Sequence, residues 1–164
     1  MLKLPKLLET DPRAAKIEAG LNKNLRPVWS EGRLKVPTLE LTLELEKALS
    51  LSRRAGQLRG GLENIESCLR REQQGLDALK QRKLGQDGGR ISRLLIMSSD
   101  GSERFYRHCE SLLANYSDRL AGVRLNTNSQ LLGHKFFGKD AQVKALLVSH
   151  KDFVIRALES LADS

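Results

Sequence analysis

The feature that most constrains the fold is the alternation of short apolar runs with amphipathic segments across residues 42–164. Two apolar runs without alternation, at 94–97 and 143–148, are typical of strands that are deeply buried in a sheet, and a further strand is predicted at Leu120–Leu125. Between and after them, apolar residues recur every three or four positions, which keeps one face of a helix apolar. With a short extended piece at 57–59, the predicted order is α-β-α-β-α-β-α-β-α. This alternation, with short connections, favours a sheet covered by helices on both faces.

We therefore predict an α/β fold, in which residues 42–164 form a three-layer α/β/α sandwich with a mixed sheet of about four strands. Thr38 is the predicted cap of the first helix, and Gly56 is predicted to end it. Asp100 or Ser102 is expected to cap the helix that follows 94–97. Thr127 is expected to cap the next helix through a capping box.

Two segments lack this periodicity. Residues 1–41 are punctuated by proline and glycine, and we predict an irregular N-terminal arm with a short helix from Arg13 to about Ala19. Trp29, the only tryptophan, is expected to pack this arm onto the body. Residues 72–90 are rich in Gln, Lys, Arg and Gly, and we interpret them as a polar, solvated loop inserted in the domain.

The charge is uneven along the chain. The net charge is +8, and residues 1–93 carry 19 basic against 12 acidic groups, whereas residues 94–164 carry 9 against 8. An excess concentrated in one part indicates a polyanionic partner, for which nucleic acid is the commonest choice. General solubility is the alternative explanation of the same charge.

Several classes of protein fit poorly. No apolar run approaches the length of about 18–20 residues that crosses a bilayer, and the first ten residues lack the small-residue cleavage site of a signal peptide. Cys68 and Cys109 are expected to be reduced core thiols rather than a disulfide framework. We therefore expect a cytoplasmic protein.

Four segments, in this order, resemble a known family: ALSLSRRAGQLRGG (48–61), RLLIMSSDGS (93–102), NSQLLGHKFFGKD (128–140) and VKALLVSHKDFVIRALESL (143–161). They are similar to the L-seven-Ae/L-thirty-e ribosomal superfamily of kink-turn RNA-binding proteins, and to its bacterial YlxQ-like members. The likeness covers about three quarters of the chain. Residues 4–37 look like the tail of a YlxR-type module whose first half is missing, and we infer no function from them.

The resemblance implies an RNA site at the N-terminus of the second helix of the domain. Gly61 matches the glycine of the family, and Arg59 falls at a basic position before it. Glu63 and Asn64 fall on an Asn-Glu pair of the family, in reversed order. Ser67 stands where kink-turn binders carry a lysine further along that helix.

A second contact loop is implied at residues 138–140. The physics of a helix start supports the first site independently, because glycine allows close approach and free helix N–H groups bind phosphate or base oxygens. The predicted RNA-binding residues are Arg59, Gly60, Gly61, Glu63, Asn64, Lys135 and Lys139.

Each of these residues also has a structural explanation. Arg59, Gly60 and Gly61 could simply form a tight strand–helix turn. Glu63 and Asn64 could be first-turn residues that the helix dipole stabilises, and the two lysines could be ordinary solvated side chains. The basic run Lys80, Arg82, Lys83, Arg90 and Arg93 is better explained as a solvated loop than as a phosphate contact.

Catalytic and metal-binding classes find little support. The sequence around Ser98, Ser99 and Asp100 ends a predicted strand but has no activated nucleophile or paired acid and base. Histidines and cysteines lack ligand spacing, and we expect no metal or cofactor. We predict a non-enzymatic binder of structured RNA. The alternatives are a protein-interaction module of the same fold and, less favoured, a nucleotide-dependent enzyme, for which the glycine-rich loop is missing.

Overall fold

The computed structural model describes residues 2–82 and 89–163. Within these residues the chain forms six strands and seven α-helices, with one 3-10 helix at Ser160–Asp163. The strands are β1 (Leu25–Pro27), β2 (Lys35–Leu39), β3 (Leu58–Gly60), β4 (Arg93–Met97), β5 (Leu120–Leu125) and β6 (Ala145–Val148). The helices are α1 (Lys6–Glu9), α2 (Ala14–Leu21), α3 (Leu43–Arg54), α4 (Leu62–Arg82), α5 (Glu103–Asn115), α6 (Ser129–Phe136) and α7 (Lys151–Glu159).

The strands form one mixed sheet in the order β1-β2-β5-β4-β6-β3. Strand β4 is parallel to β5 and antiparallel to β6, and β3 pairs antiparallel with β6 at one edge. At the other side β2 runs parallel to β5, and β1 pairs antiparallel with β2. The predicted α/β class and the element order from α3 to α7 are confirmed. The count of about four strands was wrong, because the arm adds two strands to the sheet.

Helices cover both faces of the sheet and form two cores. Successive side chains of a strand point to opposite faces, so Leu94 and Ile96 of β4 belong to one core and Leu95 and Met97 to the other. The first core includes residues of α3 and α7, and the second includes residues of α4 and α5. Strand β6 is buried along its whole length. The expectation that β4 and β6 are the deeply buried strands is therefore confirmed.

The arm is more ordered than predicted. The expected short helix exists as α2, but β1 and β2 are strands of the common sheet, so the description of the arm as irregular was wrong. Thr38, the predicted helix cap, lies within β2 and pairs with Arg124. The cap of α3 is instead Thr42, whose hydroxyl accepts a hydrogen bond from the Leu45 N–H at 3.1 Å. Trp29 does join the arm to the body, since its indole N–H donates to Glu110 at 3.1 Å.

The ends of other helices follow the sequence signals unevenly. Gly56 follows α3 with φ +74°, and Ser102 caps α5 by accepting from the Phe105 N–H, as predicted. Thr127 does not cap α6. That role belongs to Asn128, whose carboxamide oxygen accepts from the Leu131 N–H at 2.8 Å.

The prediction of a loop at 72–90 was wrong for residues 72–82, which belong to helix α4. Residues 72–82 continue α4, which has 21 residues and a length of about 31 Å, whereas residues 83–88 lie outside the described part of the chain. Gln, Lys and Arg are good helix formers on an exposed face, so the polar composition suits a helix as well as a loop. Among the described residues, no helix combines the length and the apolar character needed to cross a membrane.

Candidate functional site

The turn between β3 and α4 is built around two glycines with different roles. A Cβ placed on Gly60 would lie 3.0 Å from the Phe137 ring and 3.2 Å from Val143, so glycine allows β3 to lie close to the α6–β6 loop. Gly61 has φ +88°, and a Cβ placed there would have no neighbour within 4 Å. Its N–H donates to the Ala145 carbonyl at 3.0 Å, which fixes the turn to β6. The chain thus exposes a left-handed backbone position directly before the helix.

The first turn of α4 presents unpaired donors and acceptors. The backbone N–H groups of Leu62, Glu63 and Asn64 have no hydrogen-bond partner in the described part of the chain, whereas Ile65 N–H donates to the Gly61 carbonyl. The Asn64 carboxamide N–H donates to the Gly60 carbonyl at 3.1 Å, and the side chains of Glu63 and Asn64 are exposed. Free N–H groups at a helix start favour an anion, through both hydrogen bonds and the helix dipole.

The loop between α6 and β6 stands beside this turn. Gly133, in α6, lets the loop come so close that a Cβ there would lie 2.1 Å from the Ala141 carbonyl oxygen. Gly138 has φ +136° and Lys139 is exposed. Because Gly60 packs on Phe137, the structure brings the predicted helix start and the predicted second loop together. We call residues 59–64 and 138–140 the Gly61 surface.

The predicted cations differ in availability. Arg59 and Lys139 are exposed, and neither forms an ion pair with an acid among residues 2–82 and 89–163. The Arg59 side chain does interact with the Cys68 thiol, whose pKa it acts to lower against the larger effect of burial. Lys135 is engaged, since its ammonium lies 2.9 Å from the Glu46 carboxylate. That lysine therefore links α6 to α3 at the surface, and its ammonium is less available to a ligand than the charged groups of Arg59 and Lys139.

One residue of this region was not predicted as part of the site. The Arg53 guanidinium donates from Nε to the Phe136 carbonyl at 2.9 Å and lies 4.8 Å from the centroid of the Phe137 ring. It supports the loop from α3, where the sequence pattern indicated only a residue suited to a helix C-terminus. A contact between positions so distant in sequence leaves no periodic signal.

Two members of the basic run have structural partners. Arg93 binds Glu72, and Arg90 binds Glu9 at 3.0 Å and donates to the Leu4 carbonyl. Lys83 lies outside the described residues. Arg90 and Arg93 therefore hold the fold together and are not a free phosphate site.

The Asp100 carboxylate has a structural role at the start of α6. One carboxylate oxygen accepts from the Ser129 N–H at 3.0 Å, and the other accepts from the Ser129 hydroxyl at 2.8 Å. Burial acts to raise the pKa of Asp100, but the hydrogen bonds from Ser129 and other groups lower the pKa in sum. The carboxylate thus stays ionised and fixes the start of α6.

The cysteines and histidines form no recognisable chemical site. Burial raises the pKa of the Cys109 thiol to about 12, and burial also raises the pKa of Cys68, so both thiols are poor nucleophiles. Within the described residues, no group of three or more His, Cys, Asp or Glu side chains could hold a metal ion.

Comparison with known proteins establishes a shared fold. No protein-family model matches the chain, and no curated protein matches it. Among solved structures, a protein of unknown function from Bacillus halodurans C is similar over 75% of this chain and 100% of its own, with 21% identity and a TM-score of 0.52. At that identity the likeness concerns the fold alone.

Proposed function

We propose that this protein binds structured RNA, of kink-turn or ribosomal type, at the Gly61 surface. The observation that carries the proposal is the packing of Gly60 on Phe137, which brings the open helix start and the loop with Lys139 together. The order of motifs that resembles the L-seven-Ae/L-thirty-e superfamily supports the same location. No catalytic step is part of the proposal.

The chemistry of the Gly61 surface suits the shape of a folded RNA. The exposed cations Arg59 and Lys139 would contact phosphates, which supply affinity without reading sequence. The N–H groups of the first turn of α4 would meet phosphate or base oxygens. The Glu63 carboxylate and the Asn64 carboxamide oxygen, both exposed, are acceptors for the amino groups of unstacked bases. Affinity and shape readout would thus come from neighbouring groups.

A cytoplasmic location belongs to the same proposal. Cys68 and Cys109 are both free thiols, which suits a reducing compartment.

The test compares two glycines that both have positive φ, of which only Gly61 belongs to the proposed RNA-binding surface. Gly61 and Gly56 both have positive φ, and neither has a neighbour within 4 Å of a Cβ placed on it. They stand at opposite ends of β3. Asparagine tolerates positive φ better than other side chains, so Gly61→Asn and Gly56→Asn should cost similar stability. Only Gly61→Asn places new atoms in the path of an RNA.

The measurement is a fluorescence-anisotropy titration of each folded variant against a labelled kink-turn RNA and a duplex of equal length. We expect Gly61→Asn to weaken kink-turn binding at least tenfold and Gly56→Asn to bind like the parent. Equal binding by the two variants would move the site elsewhere. If the parent binds neither RNA at low salt, the proposal is rejected, and a protein-interaction module becomes the better explanation of the fold.

Charge variants separate phosphate contacts from general charge. Arg59→Gln and Lys139→Gln should weaken binding of both RNAs to a similar degree, because phosphate contacts carry no sequence information. Lys151→Gln is the matched control, since Lys151 is exposed and follows β6 at the opposite end of the sheet. A loss of affinity in Lys151→Gln as large as in the other two would indicate nonspecific attraction.

A further inference from the structure

A cleft of about 470 Å³ opens between the arm and the ends of β4 and β5. Its lining includes Trp29 and Ser30 from the arm, Ser99 after β4, Tyr106 of α5 and Arg124 of β5. The cleft exists because the arm packs beside β5 as β1 and β2. Neither the sequence motifs nor the Gly61 surface accounts for this combination of aromatic rings, a cation and hydroxyl groups.

Arg124 is the chemical centre of the cleft. Its guanidinium lies 4.5 Å from the centroid of the Tyr106 ring and donates through one terminal nitrogen to the Val28 carbonyl. Its Nε is buried and has no hydrogen-bond partner in the described part of the chain. A planar cation beside an aromatic ring presents a surface on which a flat, electron-rich ring stacks well.

The aromatic side chains of the cleft are held in place. The Tyr106 hydroxyl donates to the Ser98 carbonyl at 2.7 Å and accepts from the Gly101 N–H at 3.0 Å. The Trp29 indole is fixed by its hydrogen bond to Glu110 and by the Arg107 guanidinium, 5.6 Å from the ring centroid. Ordered rings pay little conformational entropy on binding, so the cleft is organised before a ligand arrives.

The cleft and the Gly61 surface share one end and one face of the sheet. Gly61 follows β3, Ser99 follows β4, and Arg124 lies near the end of β5. In the strand order, β3 and β5 are separated by three strand spacings, or roughly 14 Å at about 4.8 Å each. Helix α4, which begins at Leu62 directly after Gly61, and α5, which carries Tyr106, contribute to the same core. A few nucleotides of single-stranded RNA span this distance.

We propose that the cleft binds one unpaired nucleobase of the RNA, stacked against the guanidinium of Arg124 and the ring of Tyr106. This inference rests on the proposed function, because the RNA is held at the Gly61 surface. Stacking on aromatic and guanidinium planes is how unpaired bases are bound by proteins. The exposed hydroxyls of Ser30 and Ser99 stand where they can meet the edge of the base.

Trp29 reports on the cleft without a label, since it is the only tryptophan. The probes are a kink-turn RNA with an unpaired nucleotide in its loop and the same RNA with an abasic residue at that position. We expect the complete RNA to quench Trp29 fluorescence and to bind about tenfold more tightly than the abasic RNA. Equal quenching and equal affinity for the two RNAs overturn the proposal.

Variants locate the effect. Arg124→Met should abolish the difference between the two RNAs, while Arg156→Met, which alters an exposed arginine of α7, should preserve it. Because Arg124 also holds Val28, a second variant, Ser30→Tyr, fills the cleft from the exposed arm without removing a hydrogen bond. Retention of the difference in both Arg124→Met and Ser30→Tyr rules the cleft out.

The outcomes separate this inference from the proposed function. One outcome is an RNA affinity that depends on Gly61 and yet is equal for the complete and the abasic RNA. That result rejects the nucleobase site in the cleft and leaves the proposed RNA binding at the Gly61 surface intact. If structured RNA does not bind at all, a titration with adenosine monophosphate at millimolar concentration tests the cleft by itself. Quenching of Trp29 by this nucleotide in the parent, and not in Arg124→Met, supports the cleft alone, and no quenching in the parent overturns it.

Discussion

The guanidinium of Arg93 meets both carboxylate oxygens of Glu72, with its Nε at 3.1 and 3.0 Å from them. Glu72 belongs to α4 and Arg93 begins β4, so the pair fastens the middle of a long helix to the sheet. Arg119, only 8% exposed, reaches the same carboxylate at 3.5 Å and donates to Gln73 at 2.6 Å. One acid thus compensates two cations near the second core.

Glu72→Gln should lower the free energy of unfolding by about 2 kcal/mol, because it leaves Arg93 and the buried Arg119 without their shared counter-charge. Urea denaturation at neutral pH measures the change. Asp77→Asn, an exposed position one turn further along α4, is the control and should stay within about 0.5 kcal/mol of the parent. Equal stability of the parent and both variants would contradict this account of α4.

Gly133→Ala should destabilise the fold by about 1–3 kcal/mol, because its Cβ would meet the Ala141 backbone at 2.1 Å and displace the loop with Lys139. Gly75→Ala is the matched control in another helix. No atom lies within 4 Å of a Cβ at Gly75, so alanine there should stabilise by about 0.5–1 kcal/mol. Thermal melts compare the two, and changes of the same sign would argue against the close approach at Gly133.

Asp100→Asn should lower the free energy of unfolding by about 1 kcal/mol at pH 7, because it weakens the hydrogen bonds from Ser129. The pKa of Asp100 is lowered from 3.8 in the folded chain, so its contribution is complete above pH 3.8 and is lost as the pH falls through the folded pKa. Denaturation at pH 7 and at pH 3 should show the gap between parent and variant closing in acid. A gap that widens in acid would reverse the assigned direction.

RNA affinity should fall steeply with salt if Arg59 and Lys139 neutralise phosphates. Each contact contributes a slope of roughly −0.7 to −0.9 in log K against log salt, so two contacts predict about a tenfold loss between 50 and 200 mM salt. Arg59→Gln should reduce the slope by the contribution of one contact. Titrations at four salt concentrations measure it, and an unchanged slope in the variant would remove Arg59 from the interface.

The sequence predicts well those elements whose signal is local. The apolar run 94–97, which forms most of β4, is buried on both faces of the sheet, and every residue in it is apolar. The glycine after α3 and the serine before α5 are chemical signals of helix ends, and both Gly56 and Ser102 lie where expected. Such features depend on neighbours within a few positions.

The missed features depend on distant partners. Residues of α4 beyond Arg71 look like a loop until Arg93 and Arg119 supply their anchors. Strand β2 contains Pro37 and carries an exposed lysine, and its place in the sheet comes from pairing with β5. Sequence periodicity contains no information about either contact.

The candidate site likewise contains one feature with a local sequence signal and others that depend on distant contacts. Gly61 was predictable because a positive φ before a helix restricts the residue type. The engagement of Lys135 by Glu46 was not, and neither was a cleft assembled from three separate segments that carry Trp29, Tyr106 and Arg124.

The parallel pairing of β2 with β5 also has a consequence for the expected order of folding. Thr38 pairs with Arg124, which closes a much longer stretch of chain than the pairing of Arg93 with Leu120 between β4 and β5. Contacts between residues far apart in sequence form slowly, because the entropy of closing the long loop is lost before the contact contributes favourable free energy. We therefore expect the central strands to assemble first and the arm to dock last. Trp29 would then acquire its final surroundings only in that step, and its fluorescence would report the completion of the native state.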